Sequence, residues 1–144
     1  TSPTSKAALD VIASEGGGTQ LALRYAVGGA ASASPYAAFV LQSDASIAQY
    51  DRLMFTARAD RATRTSVQLR DPTVGIGERW DRPVFIGTEP REITVYFDDL
   101  RPLAASRAQP ALANIDSILF VFDTVNTPLG GNGRIWMDDV KYGK

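Results

Sequence analysis

The chain contains no histidine and no cysteine, and only three of its fifteen basic residues are lysine. Without cysteine there are no disulfides, no thiolate metal sites and no thiol nucleophiles. Without histidine, nucleophile–imidazole pairs, imidazole-ligated metals and ordinary imidazole acid–base catalysis are all excluded. No run approaches the roughly 20 apolar residues that a membrane span requires, so no membrane insertion is expected. A net charge of −1 supplies no basic field to recruit nucleic acid or an acidic membrane. The opening Thr1 to Lys6 is polar and no apolar stretch follows it, so no signal peptide is visible. The start without Met predicts a piece excised or processed from something longer.

What is present is alternation. A length of 144 residues suits one domain with its own core. Leu21, Leu23, Tyr25 and Val27 alternate with Gln20, Ala22, Arg24 and Ala26, which is the period of a strand with one buried face. The same period recurs in Leu53, Phe55, Ala57 and Ala59, in Val67 and Leu69, and in Ile93, Val95 and Phe97. Leu9 to Ala13, Tyr36 to Gln42, Arg79 to Ile86, Ser117 to Asp123 and Arg134 to Tyr142 read as further strands. Glycine and proline punctuate them, and Arg101 to Pro110 reads as a long polar connection. About nine short strands with turn signals and no amphipathic helix predict an all-β antiparallel two-sheet sandwich, a jelly roll, over 1–144. Val67, Leu69, Ile93, Val95, Phe97, Ile118 and Phe120 are expected in its core.

Carboxylates are the remaining route to catalysis. Asp98-Asp99 and Asp138-Asp139 are adjacent pairs, and neighbours on a strand point to opposite faces. Neither pair straddles a glycosidic bond. Glu15, Glu78, Glu89 and Glu92 fall in loops or at strand edges, a poor platform for paired acid–base work. Gly130-Gly131-Asn132-Gly133 precedes a strand, so it is a wide turn and not a phosphate loop. No catalysis is expected.

Binding is the alternative use of such a sandwich. Trp80 stands among Arg79, Asp81 and Arg82 after a glycine-containing loop. A flat indole flanked by polar side chains suits a sugar ring. Gln68 and Arg70 share the face opposite Val67 and Leu69, and Arg58 lies on the polar side of the preceding strand. Trp80, Arg82, Arg58, Gln68 and Arg70 are therefore the expected ligand residues, and Trp136 is read as structural.

The stretches YDRLMFTARAD, TSVQLRDP, REITVYFDDLRP, NIDSILFVFD and above all GNGRIWMDDVKYG resemble the galactose-binding-like jelly roll. They are similar to non-catalytic carbohydrate-binding modules of bacterial glycoside hydrolases and to the complex I intermediate-associated protein domain. The resemblance spans about Leu21 to Tyr142. It implies an oligo- or polysaccharide partner, linkage to other domains in a longer chain, and a secreted, periplasmic or cell-surface location. It also implies a structural calcium at the closing-strand aspartate, here Asp138, with Glu15 as a second ligand; the shortened first strand departs from that pattern. The other function class is a structural or protein-interaction sandwich with no sugar site.

Overall fold

The computed structural model describes residues 5–13, 19–29, 36–124, 127–128 and 130–144; the side chains of residues 11–13 and 19 are not described. Among the described residues ten strands run in chain order: β1 (Lys6–Ala13), β2 (Thr19–Ala26), β3 (Tyr36–Gln42), β4 (Arg52–Ala59), β5 (Thr63–Asp71), β6 (Glu78–Ile86), β7 (Arg91–Tyr96), β8 (Arg101–Ala104), β9 (Ser117–Asp123) and β10 (Asn132–Gly143). They form two five-stranded sheets, β1-β2-β10-β4-β7 and β3-β9-β5-β6-β8. Every paired neighbour is antiparallel. The chain crosses between sheets after β2, β3, β4, β6, β7 and β9, the wiring of a jelly-roll sandwich. Among the described residues no helix is long and apolar enough to cross a membrane.

The alternation sets the packing. In β4 every second residue is buried, so Leu53, Phe55, Ala57 and Ala59 meet the other sheet. From β5 and β9, Val67, Leu69, Ile118, Phe120 and Phe122 come to meet them. Rings lock the two sheets together. Phe55 sets its edge against Phe120 at 5.5 Å, and Tyr25 stacks on Phe122 at 3.9 Å. Of the expected core, Val67, Leu69, Val95, Phe97, Ile118 and Phe120 are buried, and Ile93 packs against them partly exposed. Phe97 reaches the core from a short 3-10 turn, Phe97–Asp99, and not from a strand.

One strand differs from expectation. The polar stretch after Leu100 begins with β8, which pairs with β6 through Trp80↔Pro102 and Asp81↔Arg101. All four of its residues are exposed, so hydrophobic periodicity had nothing to report. Pro83 lies past the last of those pairs, on a length of β6 with one neighbour, where a missing N–H is tolerated.

The segment from Ala105 to Asp116 closes one end of the second sheet. Glu78 Oε1 accepts hydrogen bonds from the Ser106 N–H and hydroxyl. The Arg107 guanidinium bridges to buried Asp71 at 3.2 Å, and the Trp80 Nε1–H donates to the Arg107 carbonyl at 2.9 Å. Burial pushes the Asp71 carboxyl up, but the Thr73 hydroxyl and N–H and the Arg107 guanidinium outweigh it and hold it below its ordinary value. The Ser106 hydroxyl and N–H hold Glu78 down against its burial, helped by Arg107. Carboxyls held low in the fold stabilise it above their unfolded pKa and cease to do so as pH falls through the folded one. Melting temperature is therefore expected to fall below about pH 4. An Asp71→Asn/Glu78→Gln variant should start lower and lose less between pH 5 and pH 3; an identical acid slope in both proteins would refute this coupling.

Candidate functional site

The outer face of the second sheet is built by register. In β5, Val67 and Leu69 enter the core, so Ser66, Gln68 and Arg70 point outward. Residues directly paired across strands share a face. One row across the sheet is therefore Val40, Leu119, Gln68, Asp81 and Arg101. The next is Ala38, Val121, Ser66 and Pro83. Beyond it stand Tyr36 opposite Asp123, and Arg64 opposite Phe85. A strip of small residues thus crosses four strands between two taller rows. Three strand spacings make it about 14–15 Å long, the length of a short oligosaccharide.

Large apolar side chains stand exposed along this strip: Tyr36 at 41%, Val40 at 52% and Phe85 at 50%. Beneath them the polar floor is already organised. Arg79 Nη1 donates to Gln68 Oε1 at 3.3 Å, Gln68 Nε2 donates to Ser66 Oγ at 3.1 Å, and Ser66 Oγ donates to Asp81 Oδ2 at 3.0 Å. Gln68 is only 1% exposed, so this chain acts as a fixed floor and not as a set of mobile side chains. Coupled hydrogen bonds in such a sequence reinforce one another. Its two ends, Arg79 and Asp81, are half-buried and present donors and an acceptor in fixed places. The Arg101 guanidinium, held by the carbonyls of Asp98 and Leu100, stands beside Asp81 in the register.

The five residues expected to bind ligand do not come together. Gln68 and Arg70 do share the outer face, as their alternation required. Arg70, however, turns toward the β5–β6 turn, donating to the Ile76 carbonyl at 3.1 Å and standing 3.8 Å from Asp116. It lies so close over Gly77 that a Cβ there would fall 2.8 Å from its Nε. At a φ of +109° only glycine suits that position. Trp80 is opposite Leu69 and 0% exposed, part of the core and not a platform. Arg82 is opposite Val67, out of phase with Asp81 and Pro83, and exposed where β6 outruns β8. Arg58 belongs to the other sheet, where its guanidinium lies 3.8 Å over the Trp136 ring. The reading that Trp80, Arg82 and Arg58 line one site with Gln68 is corrected accordingly. A one-residue change of phase moves a side chain to the opposite face, and in Arg79-Trp80-Asp81-Arg82 it is Arg79 and Asp81 that face outward.

Tyr36, Arg64, Ser66, Asp81, Phe85 and Arg101 were not singled out from the sequence. A signal existed for two of them. With Val84 and Ile86 buried, Phe85 must stand outside, and with Ala37 and Phe39 buried, so must Tyr36.

Of the expected calcium ligands, Asp138 is among the described residues. Asp138 lies on the outer face of the first sheet opposite Thr56, before a bulge in which Asp139 takes a φ of 51°. Its Oδ1 accepts the Asp139 N–H at 2.8 Å. Glu15 lies outside the described residues. Among the described residues no three acidic side chains converge, whereas calcium takes six to eight oxygens.

No protein-family model and no curated protein matches the chain. Solved structures do. The fold is similar to that of a family 11 carbohydrate-binding module from Clostridium thermocellum in complex with a β-1,3-1,4-mixed-linked tetrasaccharide, with a TM-score of 0.74 and 17% identity over 99% of this chain and 85% of that one. It is similar to the family 11 module of a cellulosomal cellulase of the same organism, with a TM-score of 0.77 and 14% identity over 99% of this chain and 84% of that one. It also resembles the family 30 carbohydrate-binding module of another cellulosomal cellulase of Clostridium thermocellum, with a TM-score of 0.68 and 14% identity over 94% of this chain and 82% of that one. The chain therefore has, along nearly its whole length, the jelly-roll sandwich of carbohydrate-binding modules.

Proposed function

We propose that the domain binds an oligo- or polysaccharide along the small-residue strip on the outer face of the second sheet, and breaks no bond there. The observation that carries this reading is the juxtaposition of exposed Tyr36 and Phe85 with a pre-bonded floor of Gln68, Ser66 and Asp81. Sugar rings offer apolar C–H faces to aromatic rings and hydroxyls to fixed donors and acceptors; Tyr36 and Phe85 supply the first, and Arg79 and Asp81, held by the buried Gln68 and Ser66, the second. The fold relatives add support, one of them holding a tetrasaccharide. The absence of histidine and cysteine and the use of Glu78 to hold a loop leave Asp81 and Asp123 as the acids on the strip, a recognition set and not an acid–base machine. By the same reading the domain is an accessory module of a longer exported or cell-surface protein.

An open face desolvates few groups fully, so affinity is expected in the micromolar to millimolar range, about 4–8 kcal/mol. Titration of soluble glucans and galactans by calorimetry checks it. Asp81→Ala removes the end of the chain and frees Ser66, and should weaken binding roughly tenfold. A protein that binds no glycan in such a panel, yet captures a partner protein, would favour an interaction domain instead.

A further inference from the structure

The outer face of the first sheet carries a cluster that the sugar strip does not use. Arg24 of β2 is directly opposite Arg134 of β10, and Arg58 of β4 is directly opposite Trp136, two residues along. Three guanidinium groups thus lie around one half-buried indole in a protein whose net charge is −1. Arg58 stacks at 3.8 Å from the ring centroid and Arg134 approaches to 5.8 Å. Of the three, Arg24 is bridged at 2.9 Å, to Asp10. Arg58 and Arg134 form no ion pair among the described residues. The acids nearest in the register form no ion pair with them: Asp60 Oδ1 accepts the backbone N–H groups of Arg61 and Arg134, Asp138 Oδ1 accepts that of Asp139, and exposed Glu92, opposite Thr56 on β7, is bridged to neither.

We propose that this face is a second carbohydrate site, selective for the carboxylate or sulfate groups of an acidic polysaccharide. The charge of Arg24 is answered by Asp10, and Arg58 and Arg134, both at the Trp136 ring, are the pair that an oxyanion held between them neutralises. A guanidinium lying over an indole is held in place, and its planar fork of N–H donors is spared for bidentate contact with an oxyanion. The surroundings favour a glycan over a protein. Protein interfaces have an apolar core within a polar rim, and among the described side chains no Leu, Ile, Val or Phe stands on the outer face around Trp136. The two sites sit on opposite outer faces of the sandwich, so one domain can hold two chains.

Native affinity electrophoresis tests this with three gels, containing polygalacturonate, a sulfated galactan and a neutral mixed-linkage glucan. The protein should be retarded in at least one acidic gel, and which one it is tells carboxylate from sulfate. High salt should weaken that retardation at least tenfold, because exposed charge pairs are screened. Arg58→Ala/Arg134→Ala should weaken it tenfold or more, with an unchanged melting temperature as the control for folding. Arg58→Lys keeps the charge without the fork and should weaken it at least threefold. Tyr36→Ala/Phe85→Ala should retain it in full, which separates this site from the strip on the second sheet. Polyglutamate should compete poorly. Free migration in both acidic gels overturns the proposal, as does retention by the double arginine variant. Equal competition by polyglutamate would make the face a general polyanion surface and overturn the assignment to a glycan.

Discussion

Replacing Trp80 by alanine is expected to destabilise the fold by about 3–5 kcal/mol, a loss of roughly 10–16 °C in melting temperature for a domain of this size. Trp80 has no exposed surface and packs among Leu69, Ile86, Leu100 and the rest of the core. Alanine leaves a cavity the size of an indole and also orphans the Arg107 carbonyl that Trp80 Nε1–H reaches at 2.9 Å. Trp80→Phe separates the two contributions. It fills most of the space and loses the hydrogen bond, at about 1 kcal/mol. Denaturant unfolding measures both. Binding by the fraction that remains folded should equal that of the parent protein. An unaltered midpoint with lost binding would restore Trp80 to the ligand.

Removing Tyr36 and Phe85 together should have the opposite signature, with glycan binding lost and most of the stability kept. Their rings stand at the two ends of the strip, on β3 and β6, and are 41% and 50% exposed. Side chains that keep about half of their surface in water cost far less to truncate than a fully buried ring, about 1 kcal/mol each. In a complex they become the large apolar contacts, and aromatic anchors of that kind carry about 2 kcal/mol or more apiece. Two such losses, roughly a thousandfold at 1.4 kcal/mol per tenfold, take a weak complex beyond detection by calorimetry. Single variants should each weaken it about tenfold to thirtyfold. Undiminished binding by the double variant would move the site off this face.

The two tryptophans show why the fold was legible and the site was not. Both lie in sequence among charged residues, Trp80 beside Arg79 and Asp81, Trp136 near Arg134 and Asp138. Local composition treats them alike. Trp80 is core and Trp136 is half-exposed beneath Arg58. The difference is one of phase within the strand. For Trp80 the phase follows from Val84 and Ile86, which are buried on the same side. The alternation within β6 by itself turns Trp80 inward and Phe85 outward. Its charged neighbours and the glycine loop carry no information on that phase.

Local sequence alone determined the strands with a buried face, the six buried core residues that alternation named, and the outward direction of Gln68 and Arg70. It also determined that histidine and cysteine chemistry is excluded. These depend on side-chain identity and on a period of two that each strand carries by itself. Which strands are neighbours was decided only by the tertiary structure. Arg58 and Gln68 are ten residues apart in sequence on consecutive strands, yet the chain crosses between sheets after β4 and sets them on opposite outer faces. Tyr36 and Phe85 are far apart in sequence and share one face through two intervening strands, β9 and β5. Nothing local encodes those pairings, because they follow from burying every apolar face at once, a condition on the whole chain.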